Sequence, residues 1–309
     1  MIRKSAFRRI AIASLALCIL LISYFFPEAN QTESHYQSEI NYQNYQTTPL
    51  YLTHENGFVA RVSLSLTKET ETINQAKERI ELLTIQGKMQ DYIPEKFYAV
   101  IPAKTKLLSV DTQDNVLKLN FSKDILAIPS EKEVSMLEAI TYTLTELESI
   151  DGVMIFVEGE IITKKLNASN LPTVFSRDFG INKNYHLTDI KNTTKTTAYY
   201  VAKQNQLEYY VPITYVSNQK EENKIEIIIE KLKSAPIHET NLMTYLHASA
   251  ELLDYQILED AIHLSFNQSF VQDIYEDKIL EEVKYAISQS IKDSVGNYNI
   301  KFFVDEKEI

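Results

Sequence analysis

Six histidines are the first candidates for a metal site or a general base: His35, His54, His186, His238, His247 and His263. His238 is followed by Glu239, but Leu242 stands where a zinc-protease helix needs its second histidine. His247 and His263 fall in or near predicted strands and could be neighbours, yet a zinc site needs three or four ligands. The spacing therefore predicts no metal site, and surface or strand positions are the expectation.

Carboxylates are abundant, with 42 Asp and Glu residues. Glu146 and Glu148 lie near the end of a predicted helix, and Asp111 and Asp114 flank a predicted turn. Glycoside hydrolysis needs two carboxylates facing each other across a cleft, whereas a charge run on a helix is typical of a solvated face. The sequence has no Gly-x-Ser-x-Gly, P-loop or dinucleotide fingerprint. We therefore predict a non-enzymatic protein with no catalytic residue and no cofactor.

The one cysteine, Cys18, lies inside an N-terminal apolar run, so a disulfide framework or thiolate metal site is excluded. That run, residues 10–26, has no charge and is just long enough to span a thin bilayer. Residues 1–9 carry only positive charges and are predicted to stay in the cytoplasm, with the body of the chain outside the cell membrane. Residues 27–47 are polar and are predicted to form a flexible stalk.

Two other interpretations of the N-terminus compete with an uncleaved single-pass anchor. A cleaved signal peptide needs small residues at its cleavage site, and none follows an apolar region of suitable length. A lipoprotein signal would lipidate Cys18, but Leu17 stands where Gly, Ala or Ser is expected. Every version exports the body of the chain.

Net charge excludes one class of partner. The chain carries a formal charge of -11, although four of its first nine residues are basic and none is acidic. An anionic surface of this size repels nucleic acid, so no nucleic-acid function is predicted.

The elements that must position these side chains follow one order twice. In the first half, Asn56-Gly57 between alternating apolar runs predicts a hairpin. Apolar residues three and four apart predict a helix over 73–85. Asp114-Asn115 predicts a turn between two further strands, and a second helix leads to a last strand over 153–157.

The second half repeats this order: a hairpin around Gln204-Asn205, a helix over 225–232, strands over 246–255 and 261–266, a helix over 275–292 and a strand over 300–304. Leu107-Leu108 matches Leu252-Leu253 at an offset of 145 residues, and 119–122 matches 264–267 at the same offset. In the second helix, Ile140, Tyr142 and Leu144 are matched with Val283, Tyr285 and Ile287.

The predicted fold class is α+β. Each unit reads β-β-α-β-β-α-β, and strands with one apolar face can be covered by the two helices. We therefore predict two tandem two-layer α/β sandwich domains, residues 48–160 and 198–309, after one transmembrane helix. Residues 161–197 are predicted to be a linker.

Four segments of the first domain resemble the GerM family of spore-forming bacteria: 101–110 (IPAKTKLLSV), 117–122 (LKLNFS), 139–146 (AITYTLTE) and 153–159 (VMIFVEG). The match covers residues 50–160, and the second copy is degenerate. The resemblance implies tandem GerMN domains, similar in fold to ring-building motifs that pack side by side at membranes.

The resemblance also implies a role as a scaffold of sporulation and germination, within the complex between mother cell and forespore. Its expected partners are other proteins of that complex and further copies of the chain itself. Two alternatives stay open: a germination module that binds peptidoglycan or a small nutrient, and a hydrolase of spore cortex suggested only by the many carboxylates.

Thr141, Tyr142, Thr143 and Thr145 are the strongest residue-type signature of this resemblance. They admit two interpretations. In one, Tyr142 packs half-buried with a wet hydroxyl, and the threonines bond to backbone carbonyls. In the other, these four residues form an interaction face that meets the sheet edge of a neighbouring module.

Overall fold

The computed structural model describes seven stretches of the chain: residues 45–164, 170–189, 191–205, 207–218, 223–234, 241–271 and 279–309. The predictions for the basic tail, the transmembrane segment, Cys18 and the stalk up to residue 44 lie outside these stretches. The last residues of the predicted stalk belong to a strand that begins at Tyr45. Within the described stretches, every helix is too short or too polar to cross a bilayer.

The elements of the first repeat follow the predicted order, with two additional two-residue strands, Phe97–Tyr98 and Glu160–Ile161. They are β1 (Tyr45–His54), β2 (Val59–Thr67), α1 (Thr72–Leu82), β3 (Phe97–Tyr98), β4 (Leu107–Gln113), β5 (Val116–Phe121), α2 (Glu133–Leu144), β6 (Gly152–Val157) and β7 (Glu160–Ile161).

One strand, β8 (Asn184–His186), lies in the predicted linker, and the second repeat then restarts the order. Its elements are β9 (Thr194–Gln204), β10 (Leu207–Ser217), α3 (Lys224–Leu232), β11 (Leu252–Ile257), β12 (Ala261–Phe266), α4 (Glu281–Ser294), β13 (Asn299–Val304) and β14 (Lys307–Glu308). The prediction of two β-β-α-β-β-α-β units is therefore confirmed.

Turn chemistry sets the hairpins as the sequence indicated. Asp114 and Asn115 have φ of 51° and 62°, the left-handed pair that a two-residue turn needs between twisted strands. At Gly57 φ is 89°, and the His54 amide donates to the Phe58 carbonyl to close the first hairpin.

The sheets are arranged differently from the prediction. The hairpins of both repeats join one six-stranded sheet, in the order β3-β1-β2-β10-β8 with β9 on the other edge of β10. The remaining strands form one four-stranded sheet per repeat, β4-β5-β6-β7 and β11-β12-β13-β14. In each of these the middle pair is parallel, because α2 or α4 returns the chain to the same end of the sheet. Two independent sandwiches are thus corrected to two repeats that share a sheet.

The two repeats match in register, with one correction. Leu107 pairs with Phe121 and Leu252 with Phe266, each followed by a β-bulge, so the offset of 145 residues holds for these hairpins. The second helices do not follow the predicted match of Tyr142 with Tyr285.

Hydrogen bonds give the helix register directly. Thr143 Oγ1 accepts the amide of Tyr51 on β1, and Ser290 Oγ accepts the amide of Tyr199 on β9. Thr143 and Ser290 are therefore equivalent, at an offset of 147 residues. The mismatch arose because similar apolar spacing fits a helix in more than one register.

The apolar core is continuous through both repeats. Residues from the predicted linker belong to it, since Phe175 and Ile181 have no exposed surface. Residues 46–309 accordingly form one compact unit. Described residues of the segment 161–197 thus pack against the core of both repeats as well as connecting them.

Asn182 joins the repeats where their hairpins meet. Its side-chain amide nitrogen donates to the carbonyls of Val59 on β2 and Pro212 on β10, both at 2.7 Å. Its oxygen accepts the Val59 amide at 2.9 Å. Because β2 and β10 pair only at Tyr210 and Arg61, this side chain satisfies backbone groups that the ladder leaves open.

Replacing Asn182 by glycine is expected to lower the free energy of unfolding by about 1–3 kcal/mol, since three hydrogen bonds to partly buried backbone are lost. Glycine keeps the left-handed conformation that Asn182 adopts at φ 47°. The matched control is Asn192→Gly, at an exposed residue with φ 55°. Urea unfolding of both variants measures the difference, and equal loss in the two would show that Asn182 only serves the turn.

Candidate functional site

The predicted interaction face lies inside the molecule. Thr141, Tyr142 and Thr143 have no exposed surface, and Thr145 is 8% exposed. The hydroxyls of Thr141 and Thr145 each donate to the carbonyl four residues earlier, at 2.7 and 2.8 Å. Thr143 bonds to Tyr51 within the same repeat. These contacts are those of the packing interpretation, and the four residues offer no exposed face to a second molecule.

Tyr142 leads to the centre of the site. Its hydroxyl, expected to be wet, donates instead to the Arg177 carbonyl at 3.2 Å. The Arg177 guanidinium lies 4.5 Å from the centroid of the Tyr142 ring and 5.6 Å from that of Tyr51. Such cation–π contacts are strongest where water is excluded.

A short turn aims Arg177 at this position. Ser176 caps a three-residue 3-10 helix, Arg177–Phe179, by accepting the amide of Asp178. Gly180 ends it with φ 76°, and a Cβ there would lie 3.1 Å from Thr214. The close approach and the left-handed backbone together favour glycine at this point.

Arg177 binds the first repeat through two of its nitrogens. Its Nε donates to Thr145 Oγ1 at 2.8 Å, and one terminal nitrogen donates to Glu146 at 3.0 Å and to the Tyr142 carbonyl at 3.2 Å. Glu146 was expected on a solvated face, but only 7% of its side chain is exposed. Its neighbour Glu148 is exposed as expected.

The other terminal nitrogen of Arg177 binds the second repeat. It donates to Asp293 at 2.8 Å and to the Tyr199 hydroxyl at 3.3 Å. The Asp293 side chain has no exposed surface. One guanidinium from the predicted linker thus pairs with a carboxylate from each repeat.

The acceptors around Arg177 repeat the duplication of the chain. The Tyr51 hydroxyl donates to Glu146 at 3.0 Å, and the Tyr199 hydroxyl donates to Asp293 at 2.6 Å. The two hydroxyls lie 2.9 Å apart. At an offset of 147 residues Glu146 and Asp293 are equivalent, so matching tyrosine–carboxylate pairs meet across the arginine. We call Arg177 and these four residues the arginine cluster.

Burial and charge act against each other in this cluster. Burial alone would raise the pKa of Glu146, but Arg177 and Arg61 lower that pKa to about 2. Complete burial raises the pKa of Asp293 in spite of Arg177. Burial and the nearby carboxylates raise the pKa of Tyr51 and of Tyr199, so both stay neutral donors.

Two further arginines lie beside the cluster. Arg61 lies 3.6 Å from Glu146 and places its guanidinium 5.2 Å from the Tyr285 ring centroid. Arg79 donates to the Thr143 carbonyl at 2.8 Å. Arg61, Arg79 and Arg177 are the three arginines after residue 9, where other cations are lysines. Because arginine suits buried, multidentate pairing better than lysine, this usage was the available sequence signal for the site.

The arginine cluster is suited to holding the two repeats together. Each nitrogen of the Arg177 guanidinium already donates to an acceptor within the chain, and each carboxylate already accepts. Within the described stretches, no group of three or more His, Cys, Asp or Glu residues could hold a metal ion. His263 packs against the Phe303 ring at 5.0 Å, and His247 accepts the Ser249 amide.

The repeated order, the shared sheet and the arginine cluster define a tandem-repeat α+β protein whose two repeats close on one core. A family model described as Germane, sporulation and spore germination, matches residues 49–163. The solved tandem GerMN domains of the sporulation protein GerM from Bacillus subtilis superpose with a TM-score of 0.75 at 28% identity, over 85% of this chain and 92% of that one.

The spore germination protein GerM of Bacillus subtilis (strain 168) is 30% identical over 223 residues, which is 71% of this chain and 60% of that protein. The chain belongs to the GerM family. It spans about 60% of the length of this curated relative.

Replacing Arg177 by methionine is expected to lower the free energy of unfolding by about 3–5 kcal/mol, because it leaves Glu146 and Asp293 buried without their cation. Lys96→Met is the control; it breaks an ion pair with Glu55 whose side chains are each 43% exposed, and it should destabilise the fold far less because water and salt screen that pair. Chemical denaturation measures both. If Arg177→Met cost no more than the control, the cluster would not join the repeats.

The lowered pKa of Glu146 predicts how stability depends on pH. Its ionised form stabilises the fold above about pH 4.5, and this contribution is lost as pH falls toward about 2. Glu146→Gln should therefore be less stable than wild type at pH 7, and the difference should shrink steadily between pH 5 and about pH 2.5. Urea unfolding across this range tests it. A difference independent of pH would mean that the charge of Glu146 contributes nothing.

Proposed function

We propose that this chain is a non-enzymatic scaffold of sporulation and spore germination that helps to assemble the ring-like complex between mother cell and forespore. The observation that carries this proposal is the arginine cluster. This group of buried charged side chains links the repeats to each other, with its donors and acceptors engaged inside the chain. A compact unit with open sheet edges suits binding of other proteins.

Membrane attachment is part of the proposal. The uncharged run of residues 10–26 follows a basic segment, which favours a single-pass anchor with the body outside the cytoplasm. Lipidation of Cys18 would serve the same purpose. In either case the scaffold would work at the membrane surface, with proteins of the complex as its partners.

One observation favours a second candidate, a module that binds peptidoglycan or a small nutrient. An open cavity of about 310 Å³ lies where the two repeats meet. It is lined by polar groups that include Thr145, Asp151, Arg177 and Lys292. Converging polar groups in a concave site are what such a ligand requires.

Cross-linking in sporulating cells separates the two candidates. A tagged full-length chain should recover membrane proteins of the mother cell–forespore complex, and a strain lacking the chain should assemble that complex poorly. The triple variant Glu146→Gln, Arg177→Met and Asp293→Asn should recover the same proteins, because Arg177 and both of its carboxylate partners lose their charges together.

Recovery of peptidoglycan alone, lost on Lys292→Glu, would favour the second candidate. Failure of a folded triple variant to support sporulation would indicate that the cluster does chemistry, which would contradict a scaffold.

A further inference from the structure

The first repeat has an open sheet edge beside a cleft. Strand β4 is the terminal strand of its four-stranded sheet, with β5 on one side. A cavity of about 580 Å³ lies between α1 and the first half of β4. An unpaired edge offers a row of backbone donors and acceptors to another extended chain.

Strand pairing shows which backbone groups are open. The turn between β4 and β5 has two residues, so Gln113 and Val116 form a hydrogen-bonded pair. Bonded and non-bonded pairs alternate along an antiparallel ladder, so the amides and carbonyls of Thr112 and Val110 point away from β5. The Thr112 amide already donates to Asp111 Oδ1 at 2.8 Å, so Val110 is the residue whose amide and carbonyl are open to a further strand. Val110 also lines the cleft.

A bulge at Leu108 limits how a second chain can pair. Bulges commonly protect sheet edges from indiscriminate association. Pairing here would begin after the bulge, at Val110, so only a segment that fits the cleft beside it can join. The Leu108 side chain is 50% exposed at the mouth.

The walls of the cleft combine an apolar floor with positive charge. Ile80 and Phe121 are buried at its base, while Lys77 and Lys106 line its sides. Glu81 also lines it, but accepts the Lys88 amide at 2.8 Å. On a chain of formal charge -11, two lysines beside an open edge favour a negatively charged occupant.

The second repeat shows that this charge is specific to the first. At the offset of 145 residues, Glu251 stands in place of Lys106 and Asp254 in place of Ser109. Strand β11 has the same bulge and the same edge position as β4. The duplicated edge therefore has the same backbone geometry but a more acidic sequence, since residues 106–113 carry Lys106 and Asp111 whereas residues 251–258 carry Glu251 and Asp254 and no basic residue. This difference provides an internal comparison.

We propose that the cleft between α1 and β4 binds an extended acidic segment of a partner protein. The segment adds a strand to β4 at Val110, packs apolar side chains against Leu107 and Val110 above the buried floor, and places carboxylates near Lys77 and Lys106. At about 3.3 Å per residue, about four residues of such a segment cover the part of β4 that lines the cleft, and backbone pairing is made at its Val110 end. The inference rests on the proposed scaffold role and names the chemistry of one partner.

A random 12-residue peptide library displayed on phage provides the test, with the detergent-solubilised full chain as bait. Recovered peptides should alternate Asp or Glu with Val, Ile or Leu. Lys77→Glu with Lys106→Glu should lower their recovery at least about tenfold, since two attractive contacts become repulsive. Lys132→Glu with Lys191→Glu changes the net charge equally at exposed positions away from the cleft and should have little effect.

A second variant tests the backbone contact. Val110→Pro removes an amide on the open side of an edge strand, where proline is tolerated, and should also abolish recovery. Circular dichroism checks that the double charge variant and the proline variant are folded. If the proline variant is unfolded, the double charge variant by itself tests the inference.

Three outcomes would overturn the inference: no enriched peptide, enrichment without acidic residues, or recovery unchanged by the double charge variant. Light scattering tests another occupant. Self-association of the full chain that the same variant abolishes would place the acidic β11 of a second copy in the cleft instead. Partner recovery by cross-linking does not depend on any of these results, so the scaffold proposal can stand or fall separately.

Discussion

A guanidinium that is shared by two buried carboxylates is the constraint on which this structure depends. Arg177 lies between Glu146 of the first repeat and Asp293 of the second, and none of the three charges is well exposed to water. A buried charge without its partner costs several kcal/mol, so the cluster is stable only when both repeats and the connecting segment are in place. The two matching tyrosines complete the same set of contacts.

Duplication explains much of the rest. Each repeat contributes one hairpin to the shared six-stranded sheet and forms a four-stranded sheet from its remaining strands. Asn182 bonds to both hairpins. Each half of that sheet also packs against a helix of its own repeat, since Thr143 on α2 bonds to Tyr51 on β1 and Ser290 on α4 bonds to Tyr199 on β9. The result is one compact unit in which β4 and β11 are each the terminal strand of a four-stranded sheet.

Local sequence patterns predicted the elements well and their partners poorly. Asn56-Gly57 and Asp114-Asn115 indicated their turns, and apolar spacing located the helices, because these signals act within a few residues. The predicted alignment of α4 with α2 was wrong, because apolar spacing alone fits more than one helical register. Glu146 was expected on a solvated face, and packing and an exposed interaction face both stayed open for Thr141, Tyr142, Thr143 and Thr145. Nothing local shows that Tyr51 and Arg177 cover these residues.

The sequence by itself determined the repeat, the family resemblance, the order of strands and helices, and the uncharged N-terminal run. These features depend on composition and on patterns that extend over a few neighbouring residues. Only the tertiary structure decided that the two hairpin pairs share a sheet and that a lone arginine in the predicted linker joins them. The physical reason is the distance along the chain over which each interaction acts. Hydrophobic periodicity involves neighbouring residues, whereas the pairing of Arg177 with Asp293 links residues 116 positions apart and forms only when both repeats are folded.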